Sequence, residues 1–189
     1  GVTAARVLIA PWGQVNSCNG DFVLDEEGAR LVIEAFEAHG TDLPIDYEHQ
    51  SLGGKYASPP GQAPAAGWIK ALRVVRPEES ADAETRGRGD AAREQTEGQE
   101  EPGLYAEVEW TAVAQAKVAA REYRYLSPVV IVRKRDRRVV ALHSAALTNK
   151  PAIVGMRPIV NSQRGEQVSE DAERQAEMVD LGADDVRGE

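Results

Sequence analysis

The chain has 189 residues, 42% of them apolar and 28% charged, and a formal net charge of −9. That length suits one domain with an appendage, and the apolar share is enough for a real core. A single cysteine, Cys18, leaves no internal disulfide and no Cys-based zinc cluster, and no apolar run reaches the roughly 18 residues a membrane span needs.

The acid is unevenly spread. Residues 77–101 hold nine Asp/Glu against three Arg, and residues 162–189 hold nine against three again, which leaves the rest of the chain at +3. Those basic residues are scattered apart from Arg133-Lys134-Arg135 and Arg137-Arg138, which flank an expected turn where charge is ordinarily solvated, so no nucleic-acid footprint is visible. The opening residues lack the long apolar stretch of a signal peptide, and an intracellular, reducing compartment is the expectation.

In chain order, residues 6–10 predict a strand closed by Pro11-Trp12-Gly13, followed by a polar loop over 14–21 that holds Cys18. Asp25-Glu26-Glu27 opens a helix, its acids matching the positive end of the helix dipole. Ala29, Val32, Ile33 and Phe36 follow helical spacing, His39 sits in the last turn where a cation is favoured, and Gly40 closes the element. Residues 43–49 predict a strand in which Leu43, Ile45, Tyr47 and His49 share one face, while Asp46 and Glu48 take the other. A loop rich in Gly, Pro, Ser and Ala follows over 51–64, of the kind that shapes a binding cleft, and a strand over 65–75. Residues 77–101 predict a disordered acidic insertion. Residues 104–110 alternate as a half-buried strand, and Thr111 is a good cap for a helix through Val113, Ala116 and Ala120. Strands over 123–133 and 139–145 are joined by a turn at 135–137, and Pro151-Ala152-Ile153 ends the folded body. Beyond residue 162 a frayed helix or linker is expected, with Met178, Val179 and Leu181 as a short apolar patch.

Three residues could carry chemistry. His49, ending a strand beside a Gly-rich loop, could act as a general base near neutral pH. Ser127 stands among strand formers, where a buried hydroxyl needs a partner, and Pro128 holds it extended. If residues 139–145 pair with 123–133, His143 falls roughly level with Ser127 or a neighbour, giving a nucleophile, a base and a residue that orients the base. Spacing leaves the structural alternatives open: Ser127-Pro128 could end a strand pairing, and His49 could be a structural or merely exposed histidine. A metal site from Asp46, Glu48, His49 and His143, or a thiol pair of Cys18 with His49, finds no supporting local spacing or pKa-lowering helix end.

Five phrases occur in order: Ile45-Asp46-Tyr47-Glu48-His49, Ala65-Ala66-Gly67-Trp68-Ile69, Gly103-Leu104-Tyr105-Ala106-Glu107-Val108-Glu109-Trp110-Thr111, Arg121-Glu122-Tyr123-Arg124-Tyr125-Leu126-Ser127-Pro128 and Ala145-Ala146-Leu147-Thr148-Asn149-Lys150-Pro151-Ala152. Together they resemble the phage Mu I protein family, the protease and scaffold proteins of Mu-like phages and prophages, over residues 6–160. The resemblance implies an α+β fold, a small β-barrel-like and mostly antiparallel sheet flanked by helices, shared with prohead proteases and herpesvirus assemblins. It implies a serine endopeptidase of capsid maturation that cleaves scaffold and often itself, with His49 as base and Ser127 as nucleophile. Assemblins use a second histidine, which suits His143. Many prohead proteases instead have a glutamate where this chain has Ser144, so Ser144, Asp46 and Glu48 also stay open as the orienting residue. On this reading residues 1–161 form a protease domain with its insertion at about 77–101, and 162–189 begin a scaffold linker. The expected partners are the scaffold and major capsid proteins inside the prohead in the bacterial cytoplasm. No cofactor, metal, nucleic acid or membrane is expected, and a homo-oligomer is compatible. The rival is a non-enzymatic assembly module that keeps the fold.

Overall fold

Strand-forming runs and two capped helices assemble into a curled six-stranded sheet in the computed structural model, which describes residues 4–77 and 100–159. In chain order the elements are β1 (Ala5–Pro11), β2 (Gly13–Val15), β3 (Phe22–Leu24), α1 (Glu26–His39), β4 (Leu43–Tyr47), β5 (Gly67–Val75), β6 (Gly103–Trp110), α2 (Ala112–Ala119), β7 (Tyr125–Val132) and β8 (Val139–Thr148). The sheet runs β1-β6-β5-β4-β8-β7, and only the β4–β8 pair is parallel. Its two edge strands, β1 and β7, approach each other, so the sheet curls into a half-barrel. The architecture is the α+β, mostly antiparallel, helix-flanked arrangement expected. No helix among the described residues is long and apolar enough to cross a membrane.

Local chemistry sets both helices. The Asp25 carboxylate accepts from the Gly28 N–H at 2.9 Å, and Gly40 closes α1 in the left-handed region at φ 72°. Thr111 caps α2 by accepting from the Ala114 N–H at 3.2 Å. Asp25 does a second job: Arg138, at the foot of β8, holds it bidentately at 2.8 and 2.7 Å, tying the start of α1 to the β7–β8 hairpin. This contact holds the Asp25 carboxyl below the usual carboxylate range. The core between sheet and helices is filled by fully buried Ile9, Leu24, Val32, Ile45, Ile69, Leu126 and Leu147.

Four features depart from the sequence reading. Residues 13–24 contain the small β2–β3 hairpin, whose three-residue strands are too short to show a period. β8 continues three residues past the expected end at 145, because it lies between β4 and β7 and its Ala145, Ala146 and Leu147 are all buried. β4 stops at Tyr47, since Glu48 (φ 54°) and His49 (φ 60°) turn left-handed. Asp46, expected on the face opposite Ile45, is 2% exposed, because the following 3-10 turn folds over it and Ser51 donates to its carboxylate. The loop over 51–64 holds two 3-10 turns, Gln50–Leu52 and Gly54–Tyr56. Most of the acidic stretch at 77–101 and all of 162–189 lie outside the described residues. Glu100 and Glu101 belong to the body, pairing with Arg6 and Arg157 at 2.7 Å each.

Gly103 marks the closest approach of β6 to β1. A methyl group there would lie 2.5 Å from the Ala10 carbonyl oxygen and 2.9 Å from Leu8 Cδ1. Gly103→Ala is therefore expected to cost about 1–3 kcal/mol of stability through forced strand separation. Urea unfolding checks this, and an unchanged midpoint would contradict the β1–β6 packing.

Candidate active site

Ala146 of β8 is the reference point of the site. It pairs with Asp46 of β4 on one side and with Ser127 of β7 on the other. Paired positions present side chains on one face, so Asp46 and Ser127 share a face, two strands and roughly 10 Å of backbone apart. β7 is an edge strand, where the missing N–H of Pro128 is tolerated, so Ser127-Pro128 sits inside the strand and does not end it. Ser127 is 1% exposed, and its hydroxyl oxygen accepts from the Ala152 N–H at 3.3 Å.

The chain leaves β4 through the two left-handed residues, and that turn is pinned on several sides. The Glu48 N–H donates to the Leu147 carbonyl at 3.0 Å, and the Glu48 carboxylate accepts from the Thr148 hydroxyl at 3.0 Å. Asp46 holds the following 3-10 turn, accepting at Oδ2 from the Ser51 N–H at 2.8 Å and from the Ser51 hydroxyl. Thus anchored to β8, the turn brings His49 to Ser127: both line one cavity of 180 Å³. Phe22, Leu52, Tyr56, Val130 and Ile153 supply most of its apolar wall, with Arg137 at its edge. The His49 ring meets Tyr56 edge-on at a centroid distance of 6.0 Å.

Two buried polar atoms at this turn make no hydrogen bond among the described residues: His49 Nδ1 and Asp46 Oδ1. Unpaired buried polar atoms are costly, so a pair of them three residues apart calls for a functional account. Burial pushes the His49 imidazole below its ordinary value, against the opposing pull of the Asp46 and Glu48 carboxylates. His49 is consequently neutral at neutral pH, the form that can accept a proton.

His143 is placed differently from the sequence reading. Ser127 is level with Ala146, while Val129 and Val130 pair with Ser144 and Leu142, so His143 occupies a β-bulge three residues from Ser127's partner. It is exposed, does not line the cavity, and its Nδ1 lies 3.0 Å from the Ser144 hydroxyl. Cys18 is exposed and outside the lining, although Ser17 and Asn19 on either side belong to it. His39 remains in the last turn of α1, distant from the cavity lining. Sequence reading missed Phe22, Tyr56, Ala152 and Arg137. Of these, Ala152 stands in one of the five ordered phrases and Arg137 in the basic hairpin turn, while Phe22 and Tyr56 carry no signal.

The profile of the family described as Mu-like prophage I protein, N-terminal domain, matches residues 7–97 and 76–160. The chain belongs to this family. It is 31% identical over 136 residues, 72% of its length, to a protein named Protease I of Escherichia phage Mu, covering 32% of that protein. It is 28% identical over 155 residues, 78% of its length, to the Mu-like prophage FluMu I protein of Haemophilus influenzae, covering 38% of it. The chain thus spans about a third of the length of these curated relatives. No solved structure gives a significant match.

Proposed function

We propose that this chain is the peptidase part of a phage capsid-maturation protein, a serine endopeptidase that uses Ser127 as nucleophile and His49 as general base. The observation that supports this most strongly is that His49 and Ser127 line one cavity, although they stand 78 positions apart in sequence. A relative named Protease I adds weight. In the reaction, neutral His49 takes the hydroxyl proton as Ser127 Oγ bonds to the peptide carbonyl carbon. The same imidazole then gives that proton to the departing amine, and water hydrolyses the acyl-enzyme. The Ala152 N–H, already directed at Oγ, is suited to donate to the oxyanion.

Asp46 is the favoured orienting residue among the four left open by sequence. The two orphaned atoms are not bonded to each other in the structure; a side-chain rotation giving Nδ1–H of His49 to Asp46 Oδ1 would satisfy both and leave Nε2 for Ser127. His143 and Ser144 are occupied with each other, and Glu48 is held by Thr148. Scaffold protein, the chain itself and the major capsid protein within the prohead of the infected cell are the proposed substrates and surroundings.

Co-expression with the head proteins of the same phage, followed by intact mass, is expected to give truncated scaffold. The same truncations with Ser127→Ala in place would sink the proposal in favour of a non-enzymatic assembly module, in which the Ser127–Ala152 contact is only packing. The pH dependence follows from the lowered His49 value. A base must be neutral, so activity is lost as pH falls through the folded-state pKa, and the acidic limb of kcat/KM should lie below the ordinary imidazole value of 6.5. Stability moves the same way: the unfolded chain binds the His49 proton more readily, so folding weakens as pH drops below that value. An acidic limb above it would count against His49 as the base.

A further inference from the structure

The cavity shared by His49 and Ser127 has apolar side chains such as Phe22, Val130 and Ile153 in its lining beside polar ones, and carries one cation, Arg137, among its lining residues. Arg137 is fixed on several sides. Its own N–H donates to the Arg133 carbonyl at 2.8 Å, and its carbonyl accepts from the Val23 N–H at 2.9 Å. Its Nε donates to the Asp21 carbonyl oxygen at 2.9 Å. Gly20, at φ 114°, leaves the space the guanidinium occupies: a Cβ there would stand 2.8 Å from Arg137 Nη2.

Two neighbouring arginines are paired with carboxylates, and among the described residues Arg137 is not. Arg133 pairs with Asp136 and Glu27, and Arg138 with Asp25, Glu27 and Asp136. Asp21, the carboxylate closest in sequence to the Arg137 contact, turns instead to the Ser17 N–H at 3.0 Å. Among the described residues no carboxylate pairs with Arg137, and its two terminal nitrogens make no hydrogen bond. Arg137 is exposed, and a guanidinium seated through Nε with unused terminal donors in the cavity lining can serve as a fork for a carboxylate.

We propose that Arg137 selects the substrate: the site takes peptides that present an aspartate or glutamate next to an apolar residue near the cleaved bond. This rests on the peptidase reading and deepens it. The carboxylate docks on the Arg137 terminal nitrogens while its neighbour fills the apolar wall, so the peptide is held with a carbonyl toward Ser127. The chain's own sequence contains such a combination at Met178-Val179-Asp180-Leu181.

The test compares acetylated peptides that differ only by glutamate or glutamine between apolar neighbours. Each is measured on the wild type, Arg137→Gln and Arg137→Lys, by kcat/KM where the pair is cleaved and by NMR-titrated Kd where it is not. The glutamate peptide is expected to be favoured at least about tenfold by the wild type, as a charge-assisted contact warrants. That preference should fall below about threefold in Arg137→Gln and survive in part in Arg137→Lys. Equal handling of the two peptides by the wild type, or an undiminished preference in Arg137→Gln, overturns the proposal. Absence of cleavage counts against the peptidase reading alone, because the Kd comparison still reads Arg137.

Discussion

Replacing Ser127 with alanine is expected to reduce peptide cleavage by about 10⁴-fold or more, and His49→Ala by a similar factor. The size follows from how the two residues act. Ser127 forms the covalent bond, and no other hydroxyl among the cavity-lining residues shares its position on β7 against Ala146. His49 is the only imidazole lining that cavity. Members of one nucleophile–base unit are strongly non-additive, so the double variant should be scarcely slower than either single one. A double variant slower by the product of the two factors would mean that the residues act separately. Both replacements remove atoms without adding bulk. Ser127→Ala does leave the Ala152 N–H without its acceptor, so each variant needs its unfolding midpoint measured beside its rate.

Asp46→Asn should produce the second-largest loss, on the order of 10²- to 10⁴-fold in kcat, with little change in KM. Asparagine retains an oxygen for the Ser51 N–H, so the 3-10 turn that follows His49 can persist. What it removes is the negative charge that favours the imidazolium. The charge term has a sign that can be checked. Asp46 raises the His49 pKa against desolvation, so losing it lowers that pKa further and moves the acidic limb to lower pH. The other groups around His49 remain: Glu48 on the same turn, Tyr56 at its ring edge and Arg137 across the cavity. A purely structural Asp46 would behave otherwise. Ser51→Ala would then match Asp46→Asn in rate, and neither would move the pH profile.

The elements legible from sequence were those whose signals are local. Asp25 and Gly40 bound α1, Thr111 starts α2, and the pattern at residues 104–110 marks β6 as a strand, although Leu104, Tyr105 and Ala106 are buried in succession and the strand is not half-buried there. His49 and Ser127 were legible through the resemblance of their surrounding phrases, and the structure places them in one cavity. The burial of Asp46 was not legible, because a period of two assumes one solvated face, whereas the turn at Gln50–Leu52 folds over that face through Ser51. The level of His143 was misjudged for a related reason. A bulge adds a residue to one strand and shifts every later pairing, and no residue type at 142–144 announces it. The remaining cavity wall is assembled from Phe22, Leu52, Arg137 and Ile153, whose meeting depends on long-range topology that no sequence period encodes.

The most direct measurement is covalent labelling of the wild type, Ser127→Ala, His49→Ala and Asp46→Asn with a serine-directed fluorophosphonate, the modified residue being located by peptide mass spectrometry. A nucleophilic Ser127 predicts a single phosphonyl adduct on that residue in the wild type. The adduct should be absent from Ser127→Ala and His49→Ala and form more slowly in Asp46→Asn. A wild type that cleaves peptides yet carries its adduct elsewhere, or labels Ser127 equally well without His49, would contradict the account.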